Sequence, residues 1–147
     1  LSAVKALKDL KINYLTVHIS SGLAALKAVK KVSRCKIVGV STLTSLNNKD
    51  LKTIGYNRSV KNLVAHQAKL ANKAKLDALV CSPYEVNIVR KIFKKEIITP
   101  GIQIGKRNYD QKRSMEAKNV KSDWMVIGRS VTSGNIKKNI QKLIKSL

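Results

Sequence analysis

Cysteine, aromatic residues and acidic residues are all scarce in this chain, and each scarcity removes a class of protein. Only two cysteines occur, Cys35 and Cys81. They are too few for a disulfide framework and lack metal-type spacing, so a reducing, cytoplasmic compartment is expected. Aromatic residues make up 4% of the sequence, with one Trp and one Phe. No aromatic-interleaved basic segment offers a stacking platform for nucleic acid. No apolar run approaches the ~18–20 residues of a membrane-spanning helix, so no membrane partner is expected. The sequence starts at Leu1 without Met, and no charged n-region with an apolar core points to secretion.

Asp and Glu number 8 against 30 Lys and Arg, a formal net charge of +22. Clustered cations release counterions from a phosphate backbone, so the imbalance invites a polyanion reading. Three features weaken it. Of the 30 cations 24 are Lys and 6 are Arg, whereas specific phosphate and base contacts favour the Arg fork. The lysines are spread along the whole chain, and the stacking platform is missing. Lys-rich solvated helix faces explain most of the charge, and no specific nucleic-acid partner is expected. The alternative held beside the leading reading is a basic α/β domain that binds nucleic acid or other polyanions without catalysis.

Apolar residues are plentiful, at 44% with 26% charged, which is enough for one globular core. Short apolar, β-branched runs at residues 14–19, 35–40, 78–81, 96–99 and 124–127 alternate with helical patterns. Such runs suit parallel strands buried on both faces. Val60, Val64, Ala68 and Ala71 share one helical face, and so do Ile136, Ile140, Leu143, Ile144 and Leu147. Residues 1–10 read as a further helix ahead of the first strand. The pattern predicts an α/β chain of five parallel strands alternating with helices, with no linker or low-complexity segment.

Every predicted strand runs into a polar, Gly-bearing or turn-forming segment. Parallel α/β folds place their chemistry at that carboxyl edge, where the helix amino termini also point. In Val126-Ile-Gly-Arg-Ser130 a glycine ends the last strand, so a ligand could approach the backbone closely. Arg129 follows with a fork suited to phosphate, and Ser133-Gly-Asn135 opens the final helix. Gly128 and Arg129 are therefore the phosphate candidates.

The other tempting residues have structural explanations. No second ligand is spaced to make a metal site with His18, which reads as a hydrogen-bonded structural histidine. His66 reads as exposed, and Cys81 as a small buried thiol with no sequence neighbour to activate it. Asp77 and Asp123 each precede a strand, where turn chemistry accounts for them. Trp124 reads as packing rather than stacking. Nothing in the spacing of Ser, His and Asp singles out a triad, and no metal is expected.

Six segments in order carry a family resemblance. They are Val-His-Ile-Ser-Ser-Gly (17–22), Val-Ser-Thr-Leu-Thr-Ser (40–45), Val-Cys-Ser (80–82), Thr-Pro-Gly-Ile (99–102), Asp-Gln-Lys-Arg (110–113) and Met-Val-Ile-Gly-Arg-Ser-Val-Thr (125–132). Together they resemble the later two-thirds of the orotidine 5′-phosphate decarboxylases, lyases that convert orotidine 5′-phosphate to UMP and carbon dioxide in pyrimidine biosynthesis. The resemblance implies a (β/α)8 TIM barrel, of which residues 1–147 would be one domain, the carboxyl-terminal portion with strands four to eight. It further implies a homodimer when complete and no cofactor. Residue by residue, Thr44 would contact the substrate near the pyrimidine, and Gln111 would donate its side-chain amide to the phosphate. Gly128 would offer its backbone N–H, and Arg129 would hold the phosphate dianion.

Two departures stand against the family pattern. Gln103 follows Pro-Gly-Ile where the family usually has Arg, which keeps hydrogen bonding but forfeits the charge; Lys106 or Arg107 would supply it from the same loop. The family's catalytic Asp-x-Lys-x-x-Asp occurs nowhere in the 147 residues, and the resemblance places that strand just before Leu1, so no catalytic residue is assigned here. Length points the same way, since eight βα units need about 250 residues and seldom fewer than about 200. The chain alone is expected to be inactive and unstable, with exposed sheet edges. A third reading is a related barrel acting on another phosphorylated substrate.

Overall fold

The computed structural model describes residues 2–7, 9–103 and 115–147. Its strands are β1 (Tyr14–His18), β2 (Lys36–Val40), β3 (Ala78–Val80), β4 (Glu96–Thr99), β5 (Ile102–Gln103), β6 (Met115–Glu116) and β7 (Trp124–Met125). Its α-helices are α1 (Ser2–Ala6), α2 (Leu23–Val32), α3 (Asn48–Thr53), α4 (Val60–Lys73), α5 (Val86–Ile92), α6 (Arg129–Thr132) and α7 (Ile136–Ser146). Five strands form one sheet in the order β1-β2-β3-β4-β7, and every neighbouring pair is parallel. These are the five runs expected from the sequence. Strand order follows chain order, as right-handed βα crossovers give when each strand is laid beside the last.

The register decides which residues face the helices. Leu15 pairs with Ile37, and Gly39 with Leu79, which in turn pairs with Ile97. Ile37, Leu79 and Ile97 are fully buried with Leu26, Val64, Ala68, Val89 and Phe93 in one core. Gly39 is required by close approach: a Cβ there would lie 2.8 Å from Leu76 Cδ1 and 3.0 Å from the Ile19 side chain. The α4 face expected from the sequence is buried, with Val60, Val64, Ala68 and Ala71 all in the core.

The ends of the helices are set by local chemistry. Asn47 and Asp50 form a reciprocal capping box at the start of α3, and the Ser59 hydroxyl accepts from Asn62 N–H at the start of α4. At the other end of α4, Lys75 N–H bonds the Asn72 carbonyl and Leu76 N–H bonds the Ala71 carbonyl. This paired closure places Lys75 at φ 57°, the left-handed position usually held by glycine.

Three expectations are corrected. The helix foreseen over residues 1–10 is only Ser2–Ala6; it buries no residue, so packing gives it nothing with which to extend. Trp124 is not packed in the core but 55% exposed on the sheet face away from the helices. On that face β1 also exposes Tyr14, Thr16 and His18, so burial on both faces holds for the central strands and not for this edge. The apolar stripe of α7 forms as expected, yet Ile136, Ile140, Ile144 and Leu147 remain exposed.

Candidate functional site

The carboxyl edge of β4 and β7 holds a shallow cavity of about 220 Å³. Gly101 turns the chain out of β4 at φ 78°, a value glycine adopts without a Cβ clash. β5 then runs to Gln103 and pairs with β6, Ile102 opposite Met115 and Gln103 opposite Glu116. Across the cavity the chain leaves β7 after the Val126 N–H bonds the Thr99 carbonyl at 2.9 Å. Gly101, Gln103, Val126, Gly128, Arg129 and Ser130 line the space.

Gly128 caps α6 and its carbonyl accepts from the N–H groups of Val131 and Thr132, at 2.9 and 3.1 Å. A Cβ built on Gly128 would meet nothing within 4 Å. Packing therefore does not demand the glycine; its effect is to leave the backbone open towards the cavity. Arg129 is exposed beside it, and Gln103 is buried. Three of the residues singled out in the sequence are thus gathered at one opening.

Thr44 lies elsewhere on the same edge. It follows β2, which is separated from β4 by β3. Thr44 and Ser45 form the centre of a turn closed by the Leu46 N–H on the Leu43 carbonyl at 3.1 Å. Upstream, the Ser41 hydroxyl donates to the Val80 carbonyl at 2.6 Å. The Gln67 side-chain oxygen accepts from both the amide and the hydroxyl of Thr42, at 2.8 and 3.0 Å. Gln111, Lys106 and Arg107 lie outside the described residues.

His18 is exposed and its imidazole takes no hydrogen bond among the described residues, contrary to the bonded histidine expected; its carbonyl accepts from Ser21 Oγ at 2.7 Å. His66 is exposed and Cys81 buried, as read from the sequence. Among the described residues no three His, Cys, Asp or Glu gather as a metal would need, and no helix is long and apolar enough to cross a membrane. A larger cavity of about 540 Å³ opens beside α1, lined mainly by Leu7, Leu10, Ile12, Leu15 and Val32. It sits at the amino edge, away from where parallel sheets collect polar loops and helix dipoles, so the smaller cavity is the better candidate despite its size.

Asp77 and Asp123 do more than make turns. Asp77 accepts from the Ile37 N–H at 2.8 Å and the Lys30 ammonium at 2.5 Å. Burial alone would push its carboxyl up, but the Lys30 hydrogen bond, the Ile37 N–H and the Lys30 and Lys95 charges outweigh burial and hold it below the usual range. Asp123 behaves alike, with burial opposed and outweighed by the Arg90 guanidinium and the Ile97 N–H.

Sequence reasoning missed two polar side chains. The Glu96 carboxylate accepts from Lys36, from Tyr14 Oη at 2.9 Å and from Trp124 Nε1 at 2.9 Å, joining four strands on the exposed sheet face. The Lys36 hydrogen bond is the main reason the Glu96 carboxyl is lowered, and the same bond raises the Lys36 ammonium. Gln67 is the second. Its only sequence signal is its position seven residues after Val60, on a stripe that is otherwise apolar.

A family model described as orotidine 5′-phosphate decarboxylase / HUMPS family matches residues 2–142. The orotidine 5′-phosphate decarboxylase of Wolbachia sp. subsp. Brugia malayi (strain TRS) is 42% identical, over 98% of this chain and 68% of that protein. That of Buchnera aphidicola subsp. Schizaphis graminum (strain Sg) is 39% identical, over 99% and 67%. The crystal structure of the Lactobacillus acidophilus orotidine 5′-phosphate decarboxylase superposes with a TM-score of 0.79 at 26% identity, over 98% of this chain and 67% of that one. A Methanocaldococcus jannaschii orotidine 5′-monophosphate decarboxylase, complexed with the inhibitor BMP, shares the fold with a TM-score of 0.70 at 22% identity, over 99% and 65%. The chain thus spans about two thirds of the length of these relatives, and its five-stranded sheet is part of a TIM barrel.

Proposed function

The chain belongs to the orotidine 5′-phosphate decarboxylase / HUMPS family, and on that premise we propose that it carries the phosphate- and pyrimidine-binding part of an enzyme that converts orotidine 5′-phosphate to UMP and carbon dioxide. The observation that supports this most is the meeting of Gln103, Gly128 and Arg129 around one cavity at the carboxyl edge of β4 and β7. In this reading the Arg129 fork holds the phosphate dianion, and charge-assisted bonds of that kind are about twice as strong as neutral ones. The Gly128 N–H, with no side chain beside it, donates to a phosphate oxygen. Gln111 donates its side-chain amide to the same group. Thr44 meets the pyrimidine from the β2 side. Gln103 contributes a neutral amide where the family has a guanidinium, and Lys106 or Arg107 restores the charge.

A phosphate grip of this kind lies far from the bond that breaks. Its binding energy favours the transition state by orienting the substrate, not by touching the reacting carbon. The proton that replaces carbon dioxide must come from an acid, and the family's Asp-x-Lys-x-x-Asp does not occur in these residues. No residue of this chain is therefore assigned to proton transfer, and the 147 residues on their own bind without turning over. The family resemblance is also what supports a homodimeric assembly and a cytoplasmic setting for the complete enzyme.

The test is an assay of the purified chain with orotidine 5′-phosphate beside a calorimetric titration with UMP. The proposal expects UMP to bind and no carbon dioxide to be released. Decarboxylation by the chain alone, or no UMP binding by chain shown to be folded by its circular dichroism, would overturn it.

A further inference from the structure

Gln67 sits where an apolar residue would serve the core better. On α4 the residues Val60, Leu63, Val64, Ala68 and Ala71 are buried, and Gln67 shares their face at 7% exposure. Burying an amide is costly unless its polar atoms are paired, so a glutamine in this stripe needs a reason. The reason lies outside the helix. Its side-chain oxygen accepts from Thr42 N–H at 2.8 Å and from Thr42 Oγ1 at 3.0 Å. The Thr42 amide can only donate, which fixes the oxygen rather than the amino group of Gln67 at that point.

This pair of hydrogen bonds to Thr42 anchors one end of a short loop. The neighbouring Ser41 is held to the Val80 carbonyl through its hydroxyl at 2.6 Å and its N–H at 3.2 Å. At the far end Asn47 caps α3, and Asn48 Oδ1 accepts the Val60 N–H at the start of α4. Between Thr42 and Asn47 only residues 43–46 remain, and the Leu43–Leu46 turn carries Thr44 at its centre. α4 therefore holds the loop at both ends, through Val60 at one and Gln67 at the other.

We propose that Gln67 is a positioning residue for the base-side half of the ligand: by fixing Thr42 it sets where Thr44 stands, so that it governs affinity for the pyrimidine and not for the phosphate. This deepens the reading given above and rests on it. The phosphate cavity lies on β4 and β7, on the other side of β3, so loss of the Gln67 bond leaves it in place.

The experiment uses the full chain and two probes, UMP and ribose 5-phosphate, by calorimetry, with amide hydrogen exchange over residues 41–46. Gln67→Met removes the acceptor at similar volume. It is expected to weaken UMP about tenfold, the worth of a well-made hydrogen bond, while ribose 5-phosphate is unchanged and the Thr42 amide exchanges faster. Gln67→Glu keeps an acceptor oxygen and is expected to restore both readouts. Should Gln67→Met fail to fold, Thr42→Val removes only the hydroxyl bond and should give the same split in smaller measure. Equal loss of both ligands, or no loss of UMP in a folded variant, would overturn the inference alone. Absence of UMP binding by the unmodified chain would overturn the parent reading and this one with it, whereas UMP binding that survives in every variant leaves the parent reading standing.

Discussion

Asp77 and Asp123 occupy equivalent places in two strand pairs of the sheet, β2–β3 and β4–β7. Each stands one residue before a strand, β3 or β7, and each accepts the N–H of the second residue of the strand beside it, Ile37 at 2.8 Å or Ile97 at 2.7 Å. Each also pairs with a cation near the end of the helix that leads into that neighbouring strand, Lys30 on α2 or Arg90 on α5. The same three-part clasp therefore joins helix, strand and next strand at the amino edge of the sheet. That edge sets stability, which leaves the carboxyl edge free to vary its loops.

Removing a clasp leaves a backbone donor without its acceptor. Asp77→Ala is expected to lower stability by about 1–3 kcal/mol, because the Ile37 N–H and the Lys30 ammonium both lose their partner. Asp77→Asn keeps an acceptor oxygen and should cost less. Urea unfolding at neutral pH, with an unchanged slope and a shifted midpoint, checks both.

Acid should weaken the fold through three carboxylates. Asp77, Asp123 and Glu96 all have folded values below their ordinary ones. Their contribution is complete above the ordinary range near pH 4 and is lost as pH falls through the lowered folded values. Stability is therefore expected to fall steadily below about pH 4. Trp124 is the sole tryptophan and bonds Glu96 directly, so its emission should follow the Glu96 step. In Glu96→Gln that step should vanish while the loss from the two aspartates remains.

Two backbone positions predict opposite effects. Lys75 holds a left-handed conformation that costs a side chain about 1 kcal/mol, so Lys75→Gly should raise stability by about that amount. At Gly39 a methyl group would press on Leu76 and Ile19, and Gly39→Ala should destabilise by about 1–3 kcal/mol. Thermal melts of the two variants should move in opposite directions.

The strands were legible because short β-branched runs bounded by turns have few other uses, and residues 14–19, 35–40 and 96–99 became β1, β2 and β4 almost as read. The place of Gly128 and Arg129 was legible because the segment that follows the last strand of a parallel sheet must lie at its carboxyl edge, where both now line the smaller cavity. What the sequence hid depends on tertiary pairing. Glu96, Tyr14, Lys36 and Trp124 meet only once the register is set, and no spacing along the chain announces them. Residues 102–103 and 115–116 are too short to carry a strand period. Trp124 looked like a packing residue by type, yet its position on β7 turns it to the exposed face.

If, as proposed, Arg129 and Gly128 hold the phosphate of a pyrimidine nucleotide, removing either the phosphate or the guanidinium must cost affinity. Calorimetric titration of the unmodified chain and of Arg129→Ala with UMP and with uridine tests it most directly. UMP is expected to bind more tightly than uridine, and Arg129→Ala to weaken UMP by about ten- to a hundredfold, towards uridine's level, as the loss of a charged hydrogen-bonding partner should. Equal affinity for UMP and uridine, or an Arg129→Ala variant that binds UMP as the unmodified chain does, would contradict it.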